Sequence, residues 1–379
     1  MPEAKKISLR KKFFFILTSI LGFLIILEIF LRIIYYQRNS GNPVAIMHTV
    51  NKLKWLMNRG SLSDNLDLRN QSNNFMHYRV RPQLSHATND SIAAEHAAAN
   101  FAEYQPWLQF TWGTIKGKYV NHEGLIRKTV PDNSDASAQK YFTIYFLGGS
   151  TMYGFNVTDE ETIAAYFVNA YKQKYPNGKP IKVINYGIPY YYSYQELMLL
   201  TDRLYNNEHP DMVIEIDGLN DFLQPYAAYL RHPFFTPRLQ KLMNPSRNYY
   251  PEGFSYLDMP ENDSPENVFN RILKNYFENI NHAKLLAKQY DFQFYSVCQP
   301  VPFYNYTNRD RDPICDKRDK KQYQSAFPQI EEAAKTDSTI IFLGNMLKDE
   351  KGLPFIDMYH YTPSFNKAIA ERIMQSIRF

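Results

Sequence analysis

The hydrophobic pattern changes character twice along the chain. Residues 13–36 are apolar with little interruption, residues 37–118 are polar and irregular, and from 119 onward short apolar runs alternate with amphipathic stretches. In that last region YFTIYFL (141–147), IKVINYG (181–187), DMVIEIDG (211–218) and QFYSVCQP (293–300) are β-branched and aromatic runs that read as buried strands. Between them, DEETIAAYFVNAYKQKY (159–175) sets Ile163, Phe167 and Tyr171 on one helical face and carries acidic residues in its first turn. SYQELMLLTDRLYN predicts a second helix, and residues 265–290 a long third one. The short FID, 355–357, is a candidate fifth strand. Thr362-Pro363 then opens a last helix to about Ile377, with Thr at the N-cap and Pro at the first helical position.

Strands separated by helices imply a parallel sheet covered on both faces, and such sheets bind ligands outside the carboxyl ends of their strands. Ser150, Gly187, Asn220 and the segment Asp357–His360 all fall just past predicted strand ends, so they are expected along one edge. Residues 222–264 break the alternation with a dense set of aromatic residues and six prolines, which oppose regular elements. They read as an inserted cap or arm, whose rings either pack onto the sheet or offer flat faces to a sugar.

At 379 residues, 44% apolar and 21% charged, the composition is that of one globular domain with extra segments. The net charge of +5 is concentrated at the start: residues 1–12 hold Lys5, Lys6, Arg10, Lys11 and Lys12 against Glu3, a local +4 that leaves +1 for the rest. No basic surface remains to argue for nucleic acid. The basic tail runs into residues 13–36, which as a helix span about 36 Å, enough to cross a bilayer. Glu28 and Arg32 lie four apart and can pair near the interface. A cleaved signal peptide would need a small-x-small site after the apolar run, where Phe30, Ile33 and Tyr35 stand instead. The expectation is an uncleaved single-pass anchor, residues 1–12 cytoplasmic and residues 37–379 extracytoplasmic, with 37–118 as stalk and lead-in.

Two cysteines, Cys298 and Cys315, could form a disulfide worth about 3 kcal/mol, or stay as core thiols. No CxxC motif or metal-ligand spacing occurs, and nothing indicates a nucleotide or metal cofactor. His77, His86 and His96 lack ligand-like neighbours and are expected in solvated loops.

A serine that ends a strand in a tight turn, Gly148-Gly149-Ser150, is a candidate nucleophile, but its hydroxyl needs a base. His360 is the proposed base and Asp357, three residues earlier, the group that orients it. Backbone amides of Ser150 and Gly187 and the side-chain amide of Asn220 are candidate oxyanion donors.

From Tyr119 to Phe379 the chain resembles the SGNH (GDSL-type) hydrolase superfamily. Gly148-Gly149-Ser150 matches its nucleophile motif, with Gly149 where Asp is usual. NYGIPYYYSYQEL matches the second motif, placing the oxyanion glycine at Gly187, with Tyr190 where a glycine is common. Gly218-Leu219-Asn220-Asp221 matches GxND, Asp357 to His360 matches DxxH, and NHEGLIR (121–127) is similar to a stretch before the nucleophile strand in membrane-anchored members. The resemblance implies a flavodoxin-like three-layer α/β/α sandwich and a serine esterase or deacylase acting on an O-acylated glycan or lipid. An O-acyltransferase uses the same residues, and a non-catalytic envelope binding protein keeps the same fold.

Overall fold

A computed structural model describes residues 83–98, 102–105, 107–130, 141–223, 264–318 and 320–379, together with residues 22, 23, 27 and 28. Two units divide the chain, residues 1–73 and 74–379. Of the first unit only the four residues just named are described, all of them helical. The expected anchor at 13–36 otherwise lies outside the described residues, and among those residues no helix is long and apolar enough to cross a membrane. The aromatic insert, apart from residues 222, 223 and 264, also lies outside them.

The second unit is built on the strand β6, Phe142–Gly148. Its side chains alternate between two cores. Ile144 and Phe146 belong to one, Tyr145 and Leu147 to the other, as the period of two demands. Parallel strands β7 (Ile181–Gly187) and β8 (Met212–Asp217) flank it in full register, from Phe142↔Ile181 to Gly148↔Gly187 and from Ile144↔Met212 to Gly148↔Ile216. Beyond β8 lie β9 (Gln293–Cys298) and β10 (Ile340–Phe342), both parallel. The parallel strands therefore lie in the order β10-β9-β8-β6-β7, the 2-1-3-4-5 arrangement of flavodoxin-like folds. The expected three-layer α/β/α class is the one observed.

Helix α3 (Ile163–Lys174) and helix α8 (Pro363–Ser376) cover one face, and α4 (Ser193–Tyr205), α6 (Pro265–Tyr290) and α7 (Lys321–Thr336) the other. Their starts follow local chemistry. Thr162 caps α3 by accepting the Ala165 N–H at 3.1 Å, and Ser264 caps α6 by accepting that of Asn267 at 3.2 Å, with Pro265 in its first turn.

Two expectations are corrected. The fifth strand is Ile340–Phe342, not residues 355–357, because Phe355 makes only an isolated antiparallel bridge to Tyr361. That bridge closes a tight turn around Asp357–His360 and leaves no length for a strand in the sheet. The segment 83–118, expected as lead-in to the domain, contributes to the core itself. It holds α1 (His86–Ala98), the hairpin β1 (Ala102–Gln105) and β2 (Gln109–Trp112), and β3 (Ile115–Lys116). Ile92, Phe110 and Trp112 are buried against the same face as α4. Strands β3, β4 (Asn121–Glu123) and β5 (Ile126–Arg127) extend the sheet antiparallel past β7, where Arg127 pairs with Asn185.

Cys298 and Cys315 are both buried free thiols. Cys315 Sγ lies 3.6 Å from the Arg309 carbonyl oxygen. His96, expected in solvent, is only 1% exposed, on α1, with Nε2 3.0 Å from the Val157 carbonyl oxygen.

Candidate active site

The chain leaves β6 at Gly148, turns through Gly149, and enters the one-turn helix α2, Ser150–Tyr153. Ser150 thus stands at the carboxyl end of a central strand, where the strand order reverses between β7 and β8 and such folds open their crevice. A Cβ at position 149 would lie 2.6 Å from Asn220 Nδ2 and 2.9 Å from the Tyr191 carbonyl oxygen. The aspartate usual in the family pattern has no room there, because the Asn220 amide occupies the space. Asn220 opens helix α5 (Asn220–Leu223) and donates from Nδ2 to the Tyr191 carbonyl at 2.7 Å. A primary amide has two N–H groups, so the second remains for an oxyanion.

His360 sits in the turn closed by the Phe355–Tyr361 bridge, held by Ile356 N–H donating to the His360 carbonyl at 2.8 Å. Inside that turn Asp357 Oδ1 accepts the N–H groups of Tyr359 and His360, each at 2.9 Å. The same carboxylate meets His360 Nδ1 at 2.8 Å and 2.7 Å, and Asn156 Nδ2 donates to Oδ2 at 2.6 Å. Asp357 is 0% exposed and His360 4%. Burial pushes the Asp357 carboxyl up, but the His360 charge and the donors around it outweigh burial and hold it below its ordinary range. Bonding to a carboxylate assigns the ring proton to Nδ1. Nε2 is buried and has no hydrogen-bond partner. Its lone pair is then available as a base.

Two further links join the Ser150 and His360 segments. The amide of Phe155 donates to the Ser150 carbonyl at 3.1 Å, and the Phe155 ring lies 5.0 Å from the His360 ring, centroid to centroid. Gln299, just past β9, accepts the Thr151 hydroxyl at 2.6 Å and the Tyr361 hydroxyl at 3.4 Å. Thr151 and Tyr361 are the immediate neighbours of Ser150 and His360. Ser150, Asn220, Asp357 and His360 are therefore drawn to one end of the sheet.

Gly187 differs from expectation. Its N–H donates to Asn185 Oδ1 at 2.8 Å and is committed there, while Asn185 Nδ2 donates to the Met152 carbonyl at 3.0 Å. A Cβ at 187 would lie 2.3 Å from the Tyr153 nitrogen. Glycine is needed here for close approach of β7 to the Ser150 helix, not as an oxyanion donor. Tyr190, where the family pattern commonly has glycine, holds φ at +75°, a region that disfavours any residue with a Cβ.

Residues that sequence reasoning missed support the site from behind. Arg127 is 0% exposed and forms a buried ion pair with Asp159. It also donates to the Asn121 carbonyl at 3.0 Å and lies 5.2 Å from the Tyr153 ring. Burial pulls its pKa down to about 10. NHEGLIR thus pins the connection after the Ser150 helix. Asn156 and Gln299 carry no motif of their own. Asn156 meets its partner 201 residues away, a separation that no local pattern encodes. On the outer side of the His360 turn, Arg318 forms an ion pair with Asp316, whose carboxylate accepts the Tyr359 hydroxyl at 2.7 Å.

No family model matches the chain, and no curated protein does. Solved structures similar to it include an acetyl xylan esterase, at 13% identity over 62% of this chain and 100% of that one, with a TM-score of 0.40. A member of the lipolytic G-D-S-L family from Veillonella parvula is 10% identical over 62% of this chain and 96% of its own, with a TM-score of 0.37. An acetylxylan esterase from Geobacillus stearothermophilus is 16% identical over 62% and 94%, with a TM-score of 0.35. The fold class rests on the strand order of the chain itself.

Proposed function

We propose that this protein is a serine esterase of the SGNH type, removing acyl groups from an O-acylated glycan or lipid. In this reading residues 13–36 anchor it in the cytoplasmic membrane and residues 37–379 work on the outer side. The observation that carries the chemistry is the His360–Asp357 pair: Nδ1 is held by a buried carboxylate and Nε2 is unbonded, at the sheet end where Ser150 opens its helix. The substrate class and the location rest on the sequence motifs and on the basic tail before an apolar run.

Ser150 Oγ attacks the ester carbonyl as His360 Nε2 takes its proton, forming a tetrahedral oxyanion. The second Asn220 N–H and the Ser150 amide are the donors for that charge. His360 returns the proton to the leaving alkoxide, which departs as the alcohol and leaves acyl-Ser150. Water then attacks with His360 again as base, and collapse releases the carboxylic acid and restores Ser150. Asp357 stays ionised and stabilises the imidazolium in both halves.

The deciding experiment is intact mass of the detergent-solubilised full chain, wild type and Ser150→Ala, after incubation with p-nitrophenyl acetate. The expected result is an acetyl adduct of about 42 Da, or ester turnover, that disappears in the variant. Absence of both in the wild type would move the protein to an envelope-binding role. Faster discharge of the adduct by an added glycan than by water would make it an O-acyltransferase. Protease digestion of intact spheroplasts checks the location, since an outward domain is cleaved without lysis.

A further inference from the structure

A group of acidic side chains lies between the sheet and helices α4 and α6. Glu215 and Asp217 are two residues apart on β8 and point to the same face, and Glu196 reaches them from α4. One carboxylate oxygen from each lies within 4.8 Å of the other two, and none of the three residues is more than 3% exposed. Asp221, 2% exposed, is the fourth acid. One of its oxygens accepts the Ser193 hydroxyl at 2.5 Å and the Ser193 amide at 3.2 Å.

The unused oxygens are what these bonds leave unexplained. Oε2 of Glu215 and Oδ2 of Asp221 are buried without a hydrogen-bond partner, and the buried carboxyl groups of Glu196 and Asp217 have only each other. Two hydroxyls outside the acidic set are buried beside it. Ser296, paired with Glu215 across β8 and β9 and so on the same face, is 0% exposed. The Tyr276 hydroxyl, from α6, is equally buried, interacts with the Ser296 side chain and feels the charges of Asp217 and Asp221. Among the described residues, no lysine, arginine or histidine forms an ion pair with any of the four acids.

We infer that Glu196, Glu215 and Asp217, with Asp221 and Ser296 around them, bind a hard divalent cation of calcium size. A shared proton satisfies two oxygens at most, whereas calcium accepts about six to eight oxygens at about 2.3–2.6 Å. Two oxygens on such an ion are at most about 5 Å apart, which the observed spacing meets; magnesium demands near-ideal octahedral geometry and gives up its water reluctantly. An all-oxygen donor set selects this class of ion over zinc or copper. The ion would tie α4 to the β8 end that carries Asn220. Binding itself stands independently of the esterase reading.

The test uses the full chain in detergent at neutral pH. Metal content is measured by mass spectrometry after gel filtration, and thermal unfolding is followed with EDTA, calcium or magnesium in excess. Expected are about one calcium per chain, an unfolding temperature that climbs with calcium concentration, and a smaller response to magnesium. Glu215→Gln and Asp217→Asn should lose the calcium response. If either fails to fold, the wild-type metal content and calcium response decide alone. A wild type without stoichiometric metal and with the same unfolding temperature in EDTA and calcium overturns the proposal. So does Glu215→Gln stabilising the protein equally with and without calcium, which would mean that the acids are held by shared protons.

Discussion

Asn156 donates its side-chain amide to Asp357 Oδ2 at 2.6 Å, tying the loop behind Ser150 to the carboxylate that orients His360. Asn156 holds φ at +65°, which asparagine tolerates and glycine matches without strain. Asn156→Gly therefore removes the donor while keeping the backbone. A hydrogen bond to a charged group is worth about 1.5–3 kcal/mol, so kcat should fall roughly 10-fold or more with KM nearly unchanged. Steady-state kinetics on an activated ester checks this, and a change confined to KM would count against the positioning role.

The close approach of Gly149 to Asn220 makes a second prediction. In Gly149→Ala the new Cβ starts 2.6 Å from Asn220 Nδ2 and displaces it. Loss of an oxyanion donor costs about 2.7–4 kcal/mol, so kcat should drop roughly a hundredfold or more. Overpacking adds about 1–3 kcal/mol of destabilisation. Activity measured well below the unfolding temperature separates the two effects. Retention of full activity would remove Asn220 from the oxyanion hole.

His122 sets an acid limit on stability. Burial, aided by the nearby Arg127 charge and opposed by a bond to the Gly113 carbonyl, pulls its pKa from 6.5 down to about 4. The unfolded chain therefore binds a proton that the folded chain refuses between pH 6.5 and about 4. This part of the stability is complete above pH 6.5 and is lost as pH falls through that window, at up to about 1.4 kcal/mol per pH unit. Denaturant titrations across the window should show that slope, and His122→Asn should flatten it.

The Arg127–Asp159 ion pair is buried on both sides, with side-chain exposures of 0% and 7%. Removing one partner strands a buried charge and costs about 3–5 kcal/mol. Arg127→Met should therefore destabilise strongly, and Arg127→Met with Asp159→Leu should recover part of the loss. A double-mutant cycle by chemical denaturation reads the coupling. Additive losses would mean that the two charges are compensated separately.

Most of the sheet is legible before folding because its signal is local. The runs at 142–148, 181–187, 212–217 and 293–298 combine β-branched density with flanking turns, and Thr362-Pro363 marks the start of the last helix. The strand Ile340–Phe342 escapes such reading because three residues carry too little period to separate a strand from a turn. FID at 355–357 resembles a strand for the complementary reason: its apolar residues are buried by a turn that serves His360.

By itself, the sequence determined the first four parallel strands, the helices α3, α4, α6 and α8, and the four short motifs set after strands, because periodicity and turn chemistry act over a few residues. It also suggested Ser150, Asn220, Asp357 and His360 as one set, since strand ends of a parallel sheet share an edge. Only the tertiary structure decided that the Gly187 amide is committed to Asn185, that Asn156 and Gln299 brace the pair, and that Ile92, Leu108, Phe110, Trp112 and Ile115 belong to the core. Glu196, Glu215 and Asp217 are likewise unremarkable along the chain, where two of them occupy alternate positions of an apolar strand. Their meeting depends on how a helix packs across that strand, and their burial is a property of the assembled layer alone.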